Sequence, residues 1–546
     1  MYFVALGNSA IWDANEAFYV ETPREMIEAN DFLNPTFNYL PRFNKPVLSY
    51  WIVAAVYRLA GVSVTAQRFA IAIGAMVIIA CAYALARLAD GKVRGRDDGL
   101  APADESRSPA FNPRSAALWA AAGLAADPRL VMFARRIFID IWITAFLSLT
   151  LAFFAVSERD PGRRRRWLAL MYVAIGLGVL TKGPVAIALP ALAFALYFAV
   201  TRQLTRITSM MIPLGIVIVA AIVVPWYAAL YHEYGWTYIK SFLVSENVER
   251  FTSGVGVRQH RGPWFYLPIV LSDAFPWSLL LPLAAYGAWR SRHRIETLLW
   301  CWIVAIVFFF SLSAGKQDLY IFPIVSAVAA LGGIAVERGL AGRNSTRGLS
   351  VTLAIAGALL GMAGAAVLYL FEAAGRVYAL DAAFIVGAVG LAGGLVTLLL
   401  AVFRQPQASA VSLLAAVVAV NWAFVVRVLP EFERYKPVPH FSRVLQERLG
   451  PGDVVAHYQV SLPSMVYYLR RHVDQYVDEA PFVRAMLADR HVYAVLSADD
   501  YAALSAQIGA RACVIDRRPT FEVKLRQVLA RQPLPELLLI SNRCGP

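Results

Sequence analysis

The sequence predicts a polytopic α-helical membrane protein of about 12–13 transmembrane helices with a small C-terminal soluble α/β domain. Three observations carry this expectation. Hydrophobic residues make up 59% of the 546 and charged residues only 16%, with a mean hydropathy of +0.55, beyond what a soluble core needs. Apolar stretches near membrane length recur from about residue 66 to about residue 428. After Pro430 proline, charged and polar residues rise, and about 115 residues follow without a membrane-length run.

In chain order, Met1 to Trp12 is apolar enough to finish a span and too short to be one. A start codon upstream would complete a first helix, giving thirteen spans, a cytoplasmic N-terminus and an extracytoplasmic C-terminus. There is no cleavable signal-peptide pattern, since neither a basic n-region nor an A-x-A site precedes the acidic cluster that follows. Residues 9–65 are then expected outside the cytoplasm. Within them VLSYWIVAAVYRL, from Val47 to Leu59, looks like a further span. About 13 residues at 1.5 Å rise reach only about 20 Å, against about 30 Å of hydrocarbon. Counting it as a span would also put Lys45 and the cluster from Asp13 to Glu16 opposite Asp140 and Lys182. It is read as a helix lying at the outer interface or dipping into it.

Twelve membrane-spanning stretches follow, at about 66–88, 114–134, 140–157, 167–181, 183–201, 209–229, 266–289, 297–313, 320–336, 349–371, 381–403 and 408–428. Basic residues near span ends stay in the cytoplasm. The connections carrying Lys92/Arg94/Arg96, Arg163 to Arg166, Arg202/Arg206, Arg290/Arg292/Arg294, Arg338/Arg343/Arg347 and Arg404 alternate as cytoplasmic loops should. The formal charge of +14 is thereby mostly explained by loops facing anionic headgroups, and no nucleic-acid partner is needed. Residues 1–429 are expected to form the transmembrane domain, with interfacial helices within 9–65, and residues 430–546 a separate domain.

In that domain, short β-branched runs (VVAHYQV from Val454, VYAVLS from Val492, ACVIDR from Ala512, LLLIS from Leu537) alternate with helical patterns (HFSRVLQERL, LPSMVYYLRR, PFVRAMLAD, DYAALSAQIG). That alternation predicts an α/β layer with a partly parallel sheet. Cys81 and Cys301 sit in predicted spans and read as packing residues. Cys513 and Cys544 lie in the exported tail, where a disulfide is permitted.

This topology gathers most of the polar clusters on one face. They are Asp13/Asn15/Glu16, Lys45, Arg135/Arg136/Asp140, Lys182, Glu246/Arg250, His260/Arg261 and Lys316/Tyr320. Each has a plain structural reading. The acidic stretch from Asp13 to Glu25 fits a solvated face of an interfacial helix. Asp140 fits a helix N-cap, and Lys182, in a turn of no more than four residues, fits a snorkelling lysine. Trp264 fits an aromatic belt, and Lys316 and Tyr320 fit interface anchors equally well. Together, however, the set offers carboxylates to orient or deprotonate a nucleophile and cations (Lys45, Arg135, Arg136, Lys182) suited to a lipid phosphate or pyrophosphate. Asp273, one turn into a span, is a functional candidate by its position alone. No CxxC, HExxH or His pair with metal spacing occurs, and the carboxylates form no specific ligand set, so no metal is assigned.

Six runs carry a resemblance that covers most of the chain. They are N-E-A-F-Y-V-E-T-P-R-E-M, then N-P-T-F-N-Y-L-P-R-F-N-K-P-V-L-S-Y-W, the Asp140 loop, L-T-K-G-P, H-R-G-P-W-F-Y-L-P from His260, and S-A-G-K-Q-D-L-Y-I-F-P from Ser313. In this order they resemble the polyprenyl-phosphate-sugar-dependent glycosyltransferases of the GT-C fold. Among these they are similar to the protein O-mannosyltransferases and, nearer still, to the 4-amino-4-deoxy-L-arabinose lipid A transferases.

The resemblance implies a bacterial inner-membrane enzyme with a periplasmic active site and C-terminal domain. Its donor would be a sugar on undecaprenyl phosphate, its acceptor lipid A or another envelope molecule, and it would need no cofactor beyond the donor lipid. Asp140 matches the family's acidic residue in the second periplasmic loop, and Lys45 and Lys182 match lysines implicated in holding the lipid phosphate. On this reading Asp13, Glu16 and Asp140 are the catalytic candidates, and Lys45, Arg135, Arg136 and Lys182 bind the donor phosphate. Asn15, Tyr19, Glu246, Arg250, His260, Arg261, Lys316 and Tyr320 bind substrate.

Two departures matter. The family's Asp-Glu pair is Asn15-Glu16 here, with an aspartate two positions earlier at Asp13. Either Asp13 or Glu16 takes the missing role, or the acceptor is an already anionic phosphate that needs orientation more than a base. Glu246-Asn247 stands where the aminoarabinose transferases tend to have Glu-His, which leaves the acceptor open. A protein O-glycosyltransferase is one alternative. A transporter or flippase for a polyprenyl-linked sugar is another, although transporters more often place binding groups near the midplane of an internal repeat, and no repeat is visible.

Overall fold

The computed structural model describes residues 1–546 apart from 14–15, 43, 90–110, 137, 254–260, 292, 343–344, 374–377, 379, 510, 521–528, 531 and 545–546, and apart from the side chains of 250, 372 and 373. Asn15, His260, Lys92, Arg94, Arg96, Arg292 and Arg343 therefore lie outside the described residues, as does the side chain of Arg250.

Every apolar stretch named above is helical. Among the described residues eight helices are long and apolar enough to cross a membrane, or nine if one bent pair counts as a single span. The others fall short for visible reasons. Val185–Val200 has 16 residues, and Arg164–Lys182 opens on three arginines. The stretch predicted as one span at 114–134 is divided into Pro113–Ala125 and Pro128–Phe133 because Asp127 caps the second helix, accepting from the Leu130 N–H at 2.8 Å.

The span expected at 266–289 needs correction. It is two helical segments, Pro263–Asp273 and Trp277–Ser291, meeting at 104°. Pro276 cannot donate to the helical ladder, and Asp273, which ends the first segment, meets Arg129 at 3.5 Å. Arg129 also pairs with Asp318. The task left open for Asp273 is thus at least structural: it ties the break to a neighbouring loop.

The helices pack as a membrane bundle should. Thr346–Leu368 and Ala383–Val402 approach through glycines, and a Cβ on Gly364 would lie 2.3 Å from the Leu391 nitrogen. Ile216, Val217 and Val224 on Ile212–Tyr234, and Leu399 and Val402 on Ala383–Val402, stay exposed on the outside of the bundle, where hydrocarbon rather than water would meet them.

Before the first long helix, Val64–Arg87, the chain forms a small layer. The helix Ala17–Glu28 is followed by a two-stranded hairpin, β1 (Thr36–Phe37) and β2 (Leu40–Pro41), and then by the helix Leu48–Ala60. Asn38 and Tyr39 both have positive φ, 58° and 60°, as a tight two-residue hairpin turn requires. The Tyr57 hydroxyl donates to the Val20 carbonyl at 3.1 Å, fixing the two helices together.

The C-terminal sheet holds β3 (Val454–Tyr458), β4 (Asp474–Tyr476), β5 (Val492–Ser497), β6 (Cys513–Pro519) and β7 (Glu536–Ser541) in the order β4-β3-β5-β7-β6. β3 runs parallel to β4 and β5, while β7 is antiparallel to β5 and β6. This is the partly parallel sheet expected, with β4 added. Cys513 and Cys544 are bonded, with Cα atoms 5.6 Å apart.

The sheet domain rests on the N-terminal layer. The Lys436 ammonium donates to the Ala10 carbonyl at 2.8 Å, and the Ile11 N–H donates to the Tyr468 hydroxyl at 3.2 Å.

Candidate active site

One cavity of about 610 Å³ opens between the N-terminal layer and the bundle. Its polar wall carries Tyr19, Arg42, Lys45, Asp140, Lys182, Glu246, Gln317 and Tyr320. Each position follows from a local rule. Lys182 is the last residue of Arg164–Lys182, where the helix dipole favours a cation. Gly183 ends that helix at φ +91°, and a Cβ there would sit 2.8 Å from the Phe242 ring. Pro184 then leads directly into the next helix. Asp140 is the third residue of Phe138–Arg159, in the positive first turn rather than at the cap. Glu246 lies on a π-helical stretch, Lys240–Glu249, and Tyr320 on a 3₁₀ turn, Asp318–Ile324.

The charges pair within the cavity. Lys182 meets Asp140, and Lys45 meets Glu246 at 3.2 Å. The Lys182 ammonium also lies 5.3 Å from the centre of the Tyr320 ring. Tyr19 stacks between Tyr50 and Phe138, with 5.7 Å between centroids on each side. Burial raises its hydroxyl pKa well above the ordinary value, keeping it a proton donor. Below Asp140 and Lys182 the wall turns apolar along the same helices, with Ile143, Leu147, Val185, Ala188 and Leu189. Leu147 lies seven residues past Asp140, about 10 Å deeper along the helix. An ionic rim above an apolar groove suits a ligand with an anionic head and a hydrocarbon tail.

Several candidates are held elsewhere. Glu16 is fully buried and accepts from the Arg68 guanidinium at 2.6 and 2.9 Å. Asp13 accepts from the Ser464 N–H at 2.7 Å, and burial raises its carboxyl pKa to about 6. Arg135 donates to the carbonyls of Met1, Val4 and Ala5. Arg136 stands 4.5 Å from the centre of the Trp12 ring, and Arg261 4.4 Å from that of Phe265. Lys316 is buried against the Ser313 carbonyl. The cavity thus brings together Tyr19, Lys45, Asp140, Lys182, Glu246 and Tyr320, and does not bring in Asp13, Glu16, Arg135, Arg136, Arg261 or Lys316. It adds Arg42, Asn247 and Gln317, which sequence reasoning passed over. Arg42 and Gln317 each lie three residues from a candidate that was chosen, Lys45 and Tyr320.

Among the described residues no group of three or more His, Cys, Asp or Glu side chains is placed to hold a metal ion.

Comparison with known proteins fits this geometry. Over its whole length the chain superposes on the crystal structure of ArnT from Cupriavidus metallidurans bound to undecaprenyl phosphate, with a TM-score of 0.79, 23% identity and 97% of that chain covered. The chain has the GT-C fold of ArnT. Residues 111–236 match the family model for dolichyl-phosphate-mannose-protein mannosyltransferase. An undecaprenyl phosphate-alpha-4-amino-4-deoxy-L-arabinose arabinosyl transferase of Pseudomonas fluorescens is 28% identical over 62% of this chain. Its counterpart from Pseudomonas savastanoi is 32% identical over 60%. The chain spans 56% and 58% of the length of these two relatives. The resemblance read from six sequence runs to GT-C proteins of the ArnT type is therefore borne out, and the protein is a multi-pass membrane protein.

Proposed function

We propose that this chain transfers a sugar from undecaprenyl phosphate to lipid A or another envelope acceptor, with 4-amino-4-deoxy-L-arabinose the first candidate sugar. The proposed setting is the periplasmic face of a bacterial inner membrane, with residues 1–429 as the membrane domain and 430–546 as a periplasmic domain. The observation that carries this reading is the cavity, whose ionic rim of Lys45, Lys182, Asp140 and Glu246 stands over an apolar groove. A polyprenyl phosphate has that amphipathic form. The names of the matched relatives agree with it.

The reaction on this reading is an in-line displacement at the anomeric carbon. The bond from C1 to the phosphate oxygen breaks, its electron pair leaving with the polyprenyl phosphate, and a bond from C1 to the acceptor oxygen forms. Lys45 and Lys182 stabilise the charge that develops on the leaving phosphate, the kind of term that usually dominates such catalysis. Entry of the phosphate competes with Asp140 for Lys182 and with Glu246 for Lys45. The released carboxylates are then available to orient the acceptor or to bind an amino group on the sugar. Arg135, Arg136, Asp13 and Glu16 serve this site, if at all, by holding the surrounding loops. The substrate-binding roles of Asn15, Arg250 and His260 remain part of the proposal on sequence grounds.

The test is mass spectrometry of lipid A and of undecaprenyl-phosphate-linked sugars from cells with and without the gene, complemented by wild type or Asp140→Asn. A lipid A sugar lost on deletion and restored only by wild type, with donor accumulating, supports the reading and names the sugar. Unchanged lipid A with donor still accumulating points to another acceptor, including the protein hydroxyl that the mannosyltransferase match over 111–236 favours. If neither pool changes, the reading fails and transport takes its place.

A further inference from the structure

Arg42 is the one cation of the cavity rim that no carboxylate neutralises among the described residues. Lys45 has Glu246, and Lys182 has Asp140. Arg42 instead lies flat on an aromatic bed. Its guanidinium carbon is 3.7 Å from the centre of the Phe18 ring and 5.7 Å from that of Phe37, and these two rings meet edge to face. Its Nε donates to the buried Tyr50 hydroxyl at 3.3 Å. The backbone is held as well, since the Arg42 N–H donates to the Pro35 carbonyl at 2.9 Å.

Stacking and the Nε bond together fix the plane of the guanidinium. The two terminal nitrogens have no hydrogen-bond partner among the described residues, and Arg42 lines the cavity. An arginine fork with its free edge held in place matches two oxygens of a tetrahedral anion, which a lysine cannot do.

Building on the proposed transfer reaction, we infer that Arg42 is the phosphate-recognition residue of this cavity, gripping a lipid-borne phosphate through Nη1 and Nη2. Charge favours this role over the two lysines, because Arg42 gives up no ion pair when the anion enters. The same chemistry serves a phosphate on the donor lipid or one on the acceptor.

The test measures binding to the purified full-length protein in non-ionic detergent, using two ligand pairs. One is undecaprenyl phosphate against undecaprenol, and the other lipid A against its dephosphorylated form. A hydrogen bond to a charged group is worth about 1.5–3 kcal/mol, so Arg42→Gln should weaken the phosphate-bearing ligand by about 10- to 100-fold and leave its phosphate-free partner unchanged. Arg42→Lys, which keeps the charge but not the fork, should fall between. Loss confined to undecaprenyl phosphate assigns Arg42 to the donor, and loss confined to lipid A assigns it to the acceptor. If Arg42→Gln lowers the thermal midpoint, Arg42→Lys carries the same comparison. Phosphate discrimination equal in wild type and both variants overturns the inference while leaving the transfer reaction standing. A wild type that prefers neither phosphate overturns both.

Discussion

Asn38 and Val473 exchange two hydrogen bonds of 2.9 Å, the asparagine amide donating to the Val473 carbonyl and the Val473 N–H donating to the amide oxygen. Asn38 behaves here as a surrogate strand residue at the tip of the β1–β2 hairpin, docked just ahead of β4. The same hairpin leads directly into Arg42, so the tail braces one wall of the cavity. Removing the Asn38 amide leaves the Val473 pair to solvent, a loss of about 1–2 kcal/mol. Asn38→Ala should therefore speed hydrogen exchange at residues 36–42 and 472–476 together. Faster exchange in only one of the two segments would separate the tail from the cavity wall.

Lys182 gives a different expectation, because its ammonium sits at the rim and carries little of the packing. Lys182→Ala should lower transfer by about 10²–10³-fold, the scale of removing a charge-stabilising donor, with a thermal midpoint close to wild type. Assayed turnover near the wild-type rate would reject its role at the leaving phosphate.

Glu16 should behave in the opposite way. Its carboxylate is enclosed with Arg68, which also donates to the Leu6 and Ser9 carbonyls. Glu16→Ala leaves a buried guanidinium without its counter-charge, and breaking such a pair costs about 3–5 kcal/mol. The expected result is a large fall in thermal midpoint and folded yield. A well-folded Glu16→Ala protein with no activity would instead return Glu16 to the chemistry.

The contrast between Lys182 and Glu16 marks how far the sequence alone reaches. Membrane helices are legible because hydrocarbon imposes length and apolarity on each segment independently. Lys45, Asp140, Lys182 and Tyr320 are legible for the same reason, standing just outside apolar runs on one face. Nothing local distinguishes Asp13 and Glu16 from them. Their withdrawal from the cavity depends on Ser464 and Arg68, 451 and 52 residues away, and such partners are chosen by tertiary packing. Strand β4 was missed because Asp474–Tyr476 has neither length nor a β-branched run and is an edge strand paired only with β3. The break at Pro276 was missed for another reason: hydropathy averages over a proline, while the helical ladder does not.

Gly183 tests the turn that presents Lys182. Its φ of +91° disfavours any side chain, and a Cβ would approach the Phe242 ring to 2.8 Å. Gly183→Ala combines backbone strain with a clash, each of order 1–3 kcal/mol. The prediction is a lower thermal midpoint together with weakened transfer, since Lys182 is displaced with the turn. An alanine variant indistinguishable from wild type in both measurements would mean that the helix end can shift without consequence.

Asp13 makes the stability of the tail contact depend on pH. Its folded-state pKa of about 6 lies above the ordinary 3.8, mainly because burial disfavours the charged form. The Ser464 hydrogen bonds and the nearby Lys436 charge lower it, and Glu16 adds to the rise. The folded protein thus holds this proton more tightly than the unfolded chain. Below about pH 4 both states are protonated and Asp13 has no effect. As pH rises through about 4 to 6 the unfolded state loses the proton first, so stability falls, by on the order of 2 kcal/mol in total. Above about pH 6 both states are ionised and the loss is complete. Asp13→Asn retains an oxygen for the Ser464 N–H but cannot ionise, so its thermal midpoint should rise relative to wild type between pH 4 and 7. Glu25, whose pKa burial raises to about 7, is present in both proteins and cancels from that difference. A constant difference across the range would show that Asp13 is already ionised at pH 4, held so by Lys436 and Ser464 despite its burial.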